Sequence, residues 1–179
     1  FQSDHPLQRL VCDVTELRTK NGDKVYLEII KYLYSNRILE KELGVHPNLK
    51  FSLAPLKRLV ASLPHTGYQI TLHTDQGWQY QHKVWCHFLR KGHIYQSMSH
   101  RATCLDNAAC ESFFNKLKTE MPVANQCENC KKSIETISFW IEHYNTKRIQ
   151  NRLNNKAPLL FELGYKDKNR LYKSNFQYV

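Results

Sequence analysis

The chain has 179 residues, enough for one domain with a substantial core and too few for two comfortable ones. Its 41% apolar content, with only six Gly and six Pro, excludes a disordered chain. No apolar run approaches the roughly 20 residues that span a bilayer, and no signal-peptide pattern opens the sequence. Lys and Arg outnumber Asp and Glu by 26 to 16, a net charge of +10, which favours a polyanionic partner, most simply nucleic acid, over an acidic membrane surface.

The opening Phe1-Gln2-Ser3-Asp4 lacks a Met and reads as the start of a fragment or processed product, with residues 1–8 as a linker from a missing upstream domain. Residues 9–17 (RLVCDVTEL) alternate and are β-branched, as a strand requires. Asn21-Gly22-Asp23 is a turn signal, and two further strands, Lys24 to Lys31 and Ser35 to Leu43, join through a tight turn at Tyr34-Ser35-Asn36. From Asn48 to Leu63 apolar residues recur at helical spacing, and Pro64 to Gly67 stops the helix. A strand at 68–73 is followed by a helix from about Gln79 to Lys91, ended by Gly92, and by a short strand at 93–96. Residues 97–104 are a polar loop. A helix begins near Asp106, a long one covers about Asn129 to Asn145, and Leu159-Leu160-Phe161 docks as a short final turn.

Three antiparallel strands, then helix, strand, helix, strand and two helices make a mixed five-stranded sheet with helices on both faces. This α/β order resembles the ribonuclease-H-like architecture, with the core over residues 9–165 and a tail from 166 to 179. Of six cysteines (12, 86, 104, 110, 127 and 130), four lie in apolar segments and read as small buried hydrophobes. Cys127 and Cys130 form a lone CxxC. It has no second pair and a single downstream histidine, His143, which argues against a structural zinc site. A reducing cytoplasm suits these thiols.

Three acidic residues occupy comparable places. Asp13 sits mid-strand among Val and Cys, costly unless paired or bound to a cation, or else outward-facing. Asp75 stands at the lip of the fourth strand, where a turn or helix-capping role is the plain alternative. Glu111 shares a polar helical face with Asn107, Asn115 and Lys118, a face that solvent alone would explain. In the inferred sheet the first and fourth strands are neighbours and the helix of Glu111 packs beside them. Three converging carboxylates would repel one another, and two Mg²⁺ or Mn²⁺ ions would relieve this while activating a nucleophile on a phosphodiester.

Asp13-Val14-Thr15, His73-Thr74-Asp75-Gln76-Gly77-Trp78-Gln79-Tyr80 and the run from Gln96 to Phe114 closely resemble the integrase-type core of bacterial insertion-sequence transposases, above all the third insertion-sequence family. The 35 residues between Asp75 and Glu111, and the ending Tyr144-Asn145-Thr146-Lys147-Arg148 with Leu153, Pro158 and Phe161, resemble that family too. The resemblance implies a Mg²⁺-dependent DNA strand transferase, with Asp13, Asp75 and Glu111 as catalytic metal ligands. It implies that Asn107 and the Ser97–Arg101 loop line the DNA channel and that Lys118 touches DNA. Asn115 stands where relatives carry a basic residue, His100 replaces the usual Arg or Lys, and Ile30-Lys31-Tyr32 stands where many members carry an acid. The reading of ends belongs to an upstream helix-turn-helix region, so this chain is expected to bind DNA with little sequence preference. It would work as a homo-oligomer on transposon ends and target duplex, at the bacterial nucleoid. Two alternatives stand beside this: a nuclease of the same architecture that cuts without joining, and a non-catalytic DNA-binding or assembly remnant.

Overall fold

A computed structural model describes residues 3, 5–64, 66–99, 108–121 and 127–168. Its five strands are β1 (Arg9–Arg18), β2 (Lys24–Tyr32), β3 (Ile38–Gly44), β4 (Ile70–Thr74) and β5 (Ile94–Met98), in the order β3-β2-β1-β4-β5. The first three form an antiparallel meander, and β4 and β5 add in parallel. The first turn needs Gly22, whose φ of 87° suits a residue without a Cβ. The second is closed by Asn36 at φ 60°, a conformation that Asn tolerates better than most residues. It shortens the third strand, expected from Ser35, to begin at Ile38.

Helices cover both faces: α1 (Leu49–Ser62), α2 (Trp78–Gln81), α3 (Lys83–Lys91), α4 (Ala108–Glu120), α5 (Cys130–Thr146) and α6 (Pro158–Lys168). Strand alternation sorts the side chains. Val11, Leu27 and Ile29 join Phe113, Leu117, Ile137 and Tyr144 in the core beneath α4 and α5. Leu10, Cys12, Ile30 and Leu72 join Leu56, Leu59 and Trp85 beneath α1 and α3. Burial on both faces explains why the central strands read as nearly continuous apolar runs. Phe113 is fully buried, with its ring edge-on to Tyr144 at 5.0 Å and to Trp140 at 5.7 Å. Truncating it to Ala should cost about 3–5 kcal/mol.

Two more expectations change, and the helix stop at Gly92 holds. The single helix expected over Gln79–Lys91 is two, because His82 adopts an extended backbone and its imidazole Nδ1 accepts the Val84 N–H, starting α3 afresh. Gly92 ends α3 without entering the left-handed region. A Cβ there would lie 2.8 Å from Val60 of α1, so close packing demands glycine, and His93 takes the positive φ instead. The short final turn is a full helix, α6, fastened to the β2–β3 turn by an ion pair between Arg37 and the largely buried Glu162.

The closing residues are structural. Asn145 bridges α5 to the sheet by exchanging two hydrogen bonds with the Ile38 backbone, accepting its N–H at 2.9 Å and donating to its carbonyl at 3.0 Å. Arg148 lies over the Tyr144 ring and grips both carboxylate oxygens of Glu120 at the end of α4.

Candidate active site

Val11 of β1 lies opposite His73 of β4, and the strands run parallel. Two residues further along stand Asp13, within β1, and Asp75, just past the end of β4. Asp13 is half-buried, and its Oδ1 accepts the Val14 N–H at 2.8 Å. Its carboxyl is raised from 3.8 to about 7, chiefly by burial, with the Asp75 and Glu111 charges adding to the rise and the Val14 hydrogen bond opposing it. The three acids singled out in sequence therefore share one electrostatic neighbourhood. They do not close into a ligand cage: among the described residues no three His, Cys, Asp or Glu side chains are gathered around one ion position. Asp75 and Glu111 are exposed to solvent, and both charges oppose ionisation of Asp13.

The turn reading of Asp75 also holds. Its Oδ1 accepts the Gly77 N–H at 2.9 Å, which fixes the carboxylate at the strand lip. The surrounding residues clamp the same turn. The two ring nitrogens of buried His73 contact the hydroxyls of Ser97 at 3.0 Å and Ser99 at 2.9 Å. Gln76 donates to the Ser99 carbonyl at 2.9 Å, and the Ser99 N–H reaches the Thr74 carbonyl at 3.1 Å. Tyr80, buried at the end of this stretch, donates to Glu28 at 3.3 Å.

Glu111 lies in the first turn of α4, opposite the buried Cys110, Phe113, Phe114 and Leu117. Asn115 and Lys118 are exposed on the same helix, at the i+4 and i+7 positions from Glu111, so they flank it. Arg101 and Asn107 lie outside the described residues, as does most of the loop that precedes α4.

Two buried charged side chains of β2 were given no role in the reading of the sequence. Glu28 of β2 is fully buried and raised to about 7 by burial, against hydrogen bonds from Ser52, Cys12 and Tyr80. Lys31 of β2 is 4% exposed, and its ammonium donates to the Ala109 carbonyl at 2.8 Å. The signal for both was a charge inside the apolar run VYLEIIKYL.

A family model described as an integrase core domain matches residues 3–104, more than half the chain, and a second of the same description matches residues 93–158. The chain belongs to the integrase core family. An uncharacterized transposase-like protein of Haemophilus influenzae is 38% identical over 159 residues, covering 89% of this integrase core and 72% of that protein. The putative transposase InsK for insertion sequence element IS150 of Escherichia coli is 34% identical over 160 residues, covering 89% of this chain and 56% of that one. The integrase core thus spans only part of the length of these relatives. In three dimensions it matches the HTLV-2 integrase catalytic core domain, solved in complex with magnesium in a trimeric form. The TM-score is 0.67 at 14% identity, over 89% of this chain and 99% of that one. The ribonuclease-H-like fold and the insertion-sequence transposase type read from the sequence are thereby established.

Proposed function

We propose that this integrase core is the metal-dependent catalytic part of a transposase, cleaving DNA phosphodiester bonds and transferring the freed strand ends into target DNA. The observation that carries the reading is Asp13, half-buried on the central strand and under the charges of Asp75 and Glu111. No cationic side chain pairs with it among the described residues, and with the two further acids it makes a hard-oxygen donor set that suits Mg²⁺ or Mn²⁺. Asp13 and Asp75 would hold two ions, with Glu111 completing the second. When bound, the ions would activate a water or 3′-hydroxyl and stabilise the leaving oxygen.

The chain's own residues prepare this site. Asp13 is partly protonated near neutral pH and would have to lose that proton to hold a cation, so metal affinity should rise with pH. Asp75 commits one oxygen to the Gly77 N–H and keeps the other for a ligand. Glu111 is carried on a helix whose apolar face is fixed by Phe113 and Leu117, so its backbone position is rigid while its side chain stays free to close on the ions. Asn115 and Lys118, with Arg101 and Asn107, are the candidate DNA contacts. The relatives' kinship extends the proposal to a homo-oligomer on transposon ends in the bacterial cytoplasm. Among the described residues no helix is long and apolar enough to cross a membrane.

Asp75→Asn should abolish Mn²⁺-dependent cleavage and joining of a transposon-end duplex while leaving the circular dichroism melt cooperative. An amide oxygen is a poorer hard-cation ligand and one charge is lost. Near-normal activity in this variant would reduce Asp75 to a turn residue. A wild-type chain that cuts without joining would be the nuclease, and one inert with either metal the remnant.

A further inference from the structure

Lys31 forms the floor of a cavity of about 660 Å³, bounded by the end of β2, the first turns of α4 and the segment 148–152. On α4 the lining residues Ala108, Ser112 and Lys116 form a stripe at i, i+4 and i+8, next to the face that carries Glu111. Lys31, Lys116, Arg148 and Arg152 all line this cavity, and among the described residues no Asp or Glu does. Arg148 is already committed to Glu120. Lys116 and Arg152 each repel the Lys31 ammonium.

A buried ammonium normally has a carboxylate partner, because a carbonyl alone does not repay its lost hydration. Lys31 has the Ala109 carbonyl on one of its three N–H donors and two like charges nearby. A further donor waits in the same wall. Gln150 is 8% exposed, its amide oxygen accepts from Asn36 at 3.1 Å, and its amide nitrogen makes no close hydrogen bond among the described residues. That nitrogen lies near the Tyr144 hydroxyl, but it carries two N–H groups and such a contact would engage only one. Converging cations and buried donors without acceptors are what an anion with several oxygens would satisfy.

We propose that this cavity is a binding site for a DNA backbone phosphate, seated between Lys31, Lys116, Arg152 and the Gln150 amide. The proposal rests on the reading of the chain as a DNA-acting transposase core and names a second contact for its substrate. Lys31 pairs with Val11, two residues before Asp13 on β1 and on the same face of the sheet. Two residues of strand span about 7 Å, so a phosphate in the cavity belongs to a nucleotide close to the one held at the carboxylates. The cavity therefore anchors the strand beside the reacting phosphodiester.

The test measures binding of a fluorescent random duplex to the 179-residue chain by anisotropy across a sodium chloride series. Lys116→Ala/Arg152→Ala should lower the slope of log K against log salt by roughly two units. Lys50→Ala/Lys83→Ala, which removes the same charge from the opposite helical layer, should barely change it. Lys31→Met, checked for folding by its melt, should lower the slope by roughly one. Equal slopes for the cavity and control double variants overturn the proposal. So does a cavity that captures inorganic phosphate in calorimetry, lost in the double variant, while the DNA slope stays unmoved; that outcome makes it a small-anion site. If the wild-type chain joins strands yet the slopes are unmoved, the transposase reading stands and only the cavity falls. If it neither binds nor joins DNA at any salt, both fall together.

Discussion

Asp13 and Lys31 lie on the same face of the sheet, on adjacent strands two residues apart in register, and each faces like charges. Asp13 stands with Asp75 and Glu111, and Lys31 with Lys116 and Arg152. Neither forms an ion pair with an opposite side chain among the described residues, although the chain pairs charges readily elsewhere. Arg37 holds Glu162, Arg58 holds Glu40 and Glu42, and Arg148 holds Glu120. The matched pairs bridge elements of the fold, and the unmatched charges gather along one side of β1 and α4. The two regions differ in how they can be quieted. Asp13, raised to about 7, is substantially protonated at neutral pH without any ligand, whereas Lys31, lowered to about 8, keeps most of its charge. The acidic edge can wait empty, and the basic cavity carries a standing penalty until an anion arrives.

The largest effect should come from the acidic edge. Asp13→Asn is expected to lower metal-dependent joining by about a thousandfold or more, the scale seen when one member of a group acting as a unit is removed. A variant within tenfold of wild type in a Mn²⁺ joining assay would show that Asp75 and Glu111 suffice.

Opposite pH trends in stability should separate the two regions. The folded Asp13 carboxyl titrates near 7 and its ordinary value is 3.8, so the folded state binds the extra proton between those values. Stability from this group is fully present below pH 3.8 and is lost as pH rises through 7, a swing of about 4 kcal/mol that Asp13→Asn should erase. For Lys31 the folded value of about 8 lies below the ordinary 10.5, so the unfolded state binds the extra proton between them. Its penalty is complete below pH 8 and relieved as pH rises towards 10.5. Lys31→Met should therefore be more stable than wild type at pH 7 by about 2–3 kcal/mol, with the gap closing at high pH. Urea melts of the three proteins without metal, from pH 5 to pH 10, would reveal both trends. Parallel curves for all three would mean that neither charge is as buried as its position indicates.

The two regions also differed in how legible they were. The acids announced themselves because each sits at a definable place in a local pattern: mid-strand, strand lip and helical face. The strand order then brought them together, and the family resemblance supplied the words around them. The basic cavity draws on β2, α4 and residues 148–152, three segments with no shared spacing, so only the fold assembles it. Lys31 was visible as a departure within an apolar strand and nothing local gave it a purpose. The break at His82 was hidden for another reason. The apolar period runs unbroken from Tyr80 to Leu89, and the interruption comes from a backbone conformation secured by the imidazole cap. The paired hydrogen bonds between Asn145 and Ile38 likewise join residues 107 apart in sequence, beyond any periodic signal.

The smallest predicted effect is the one that best sharpens the boundary between the regions. Lys118 and Lys116 are two residues apart on α4 and differ in direction. Lys116 lines the cavity, while Lys118 is exposed on the side of Glu111. Lys118→Ala should weaken binding about equally for transposon-end and random duplexes and lower the salt slope by roughly one unit, because a phosphate contact positions the duplex without reading it. Its effect should add to that of Lys116→Ala if the two engage separate phosphates, since independent sites sum. A combined loss no greater than either single loss would mean that both lysines serve one phosphate, and the acidic edge and basic cavity would then be a single continuous DNA track. A preference of a hundredfold or so for terminal inverted repeats, within the range of a specific binder, would instead show that this chain itself reads sequence, against the expectation of low specificity.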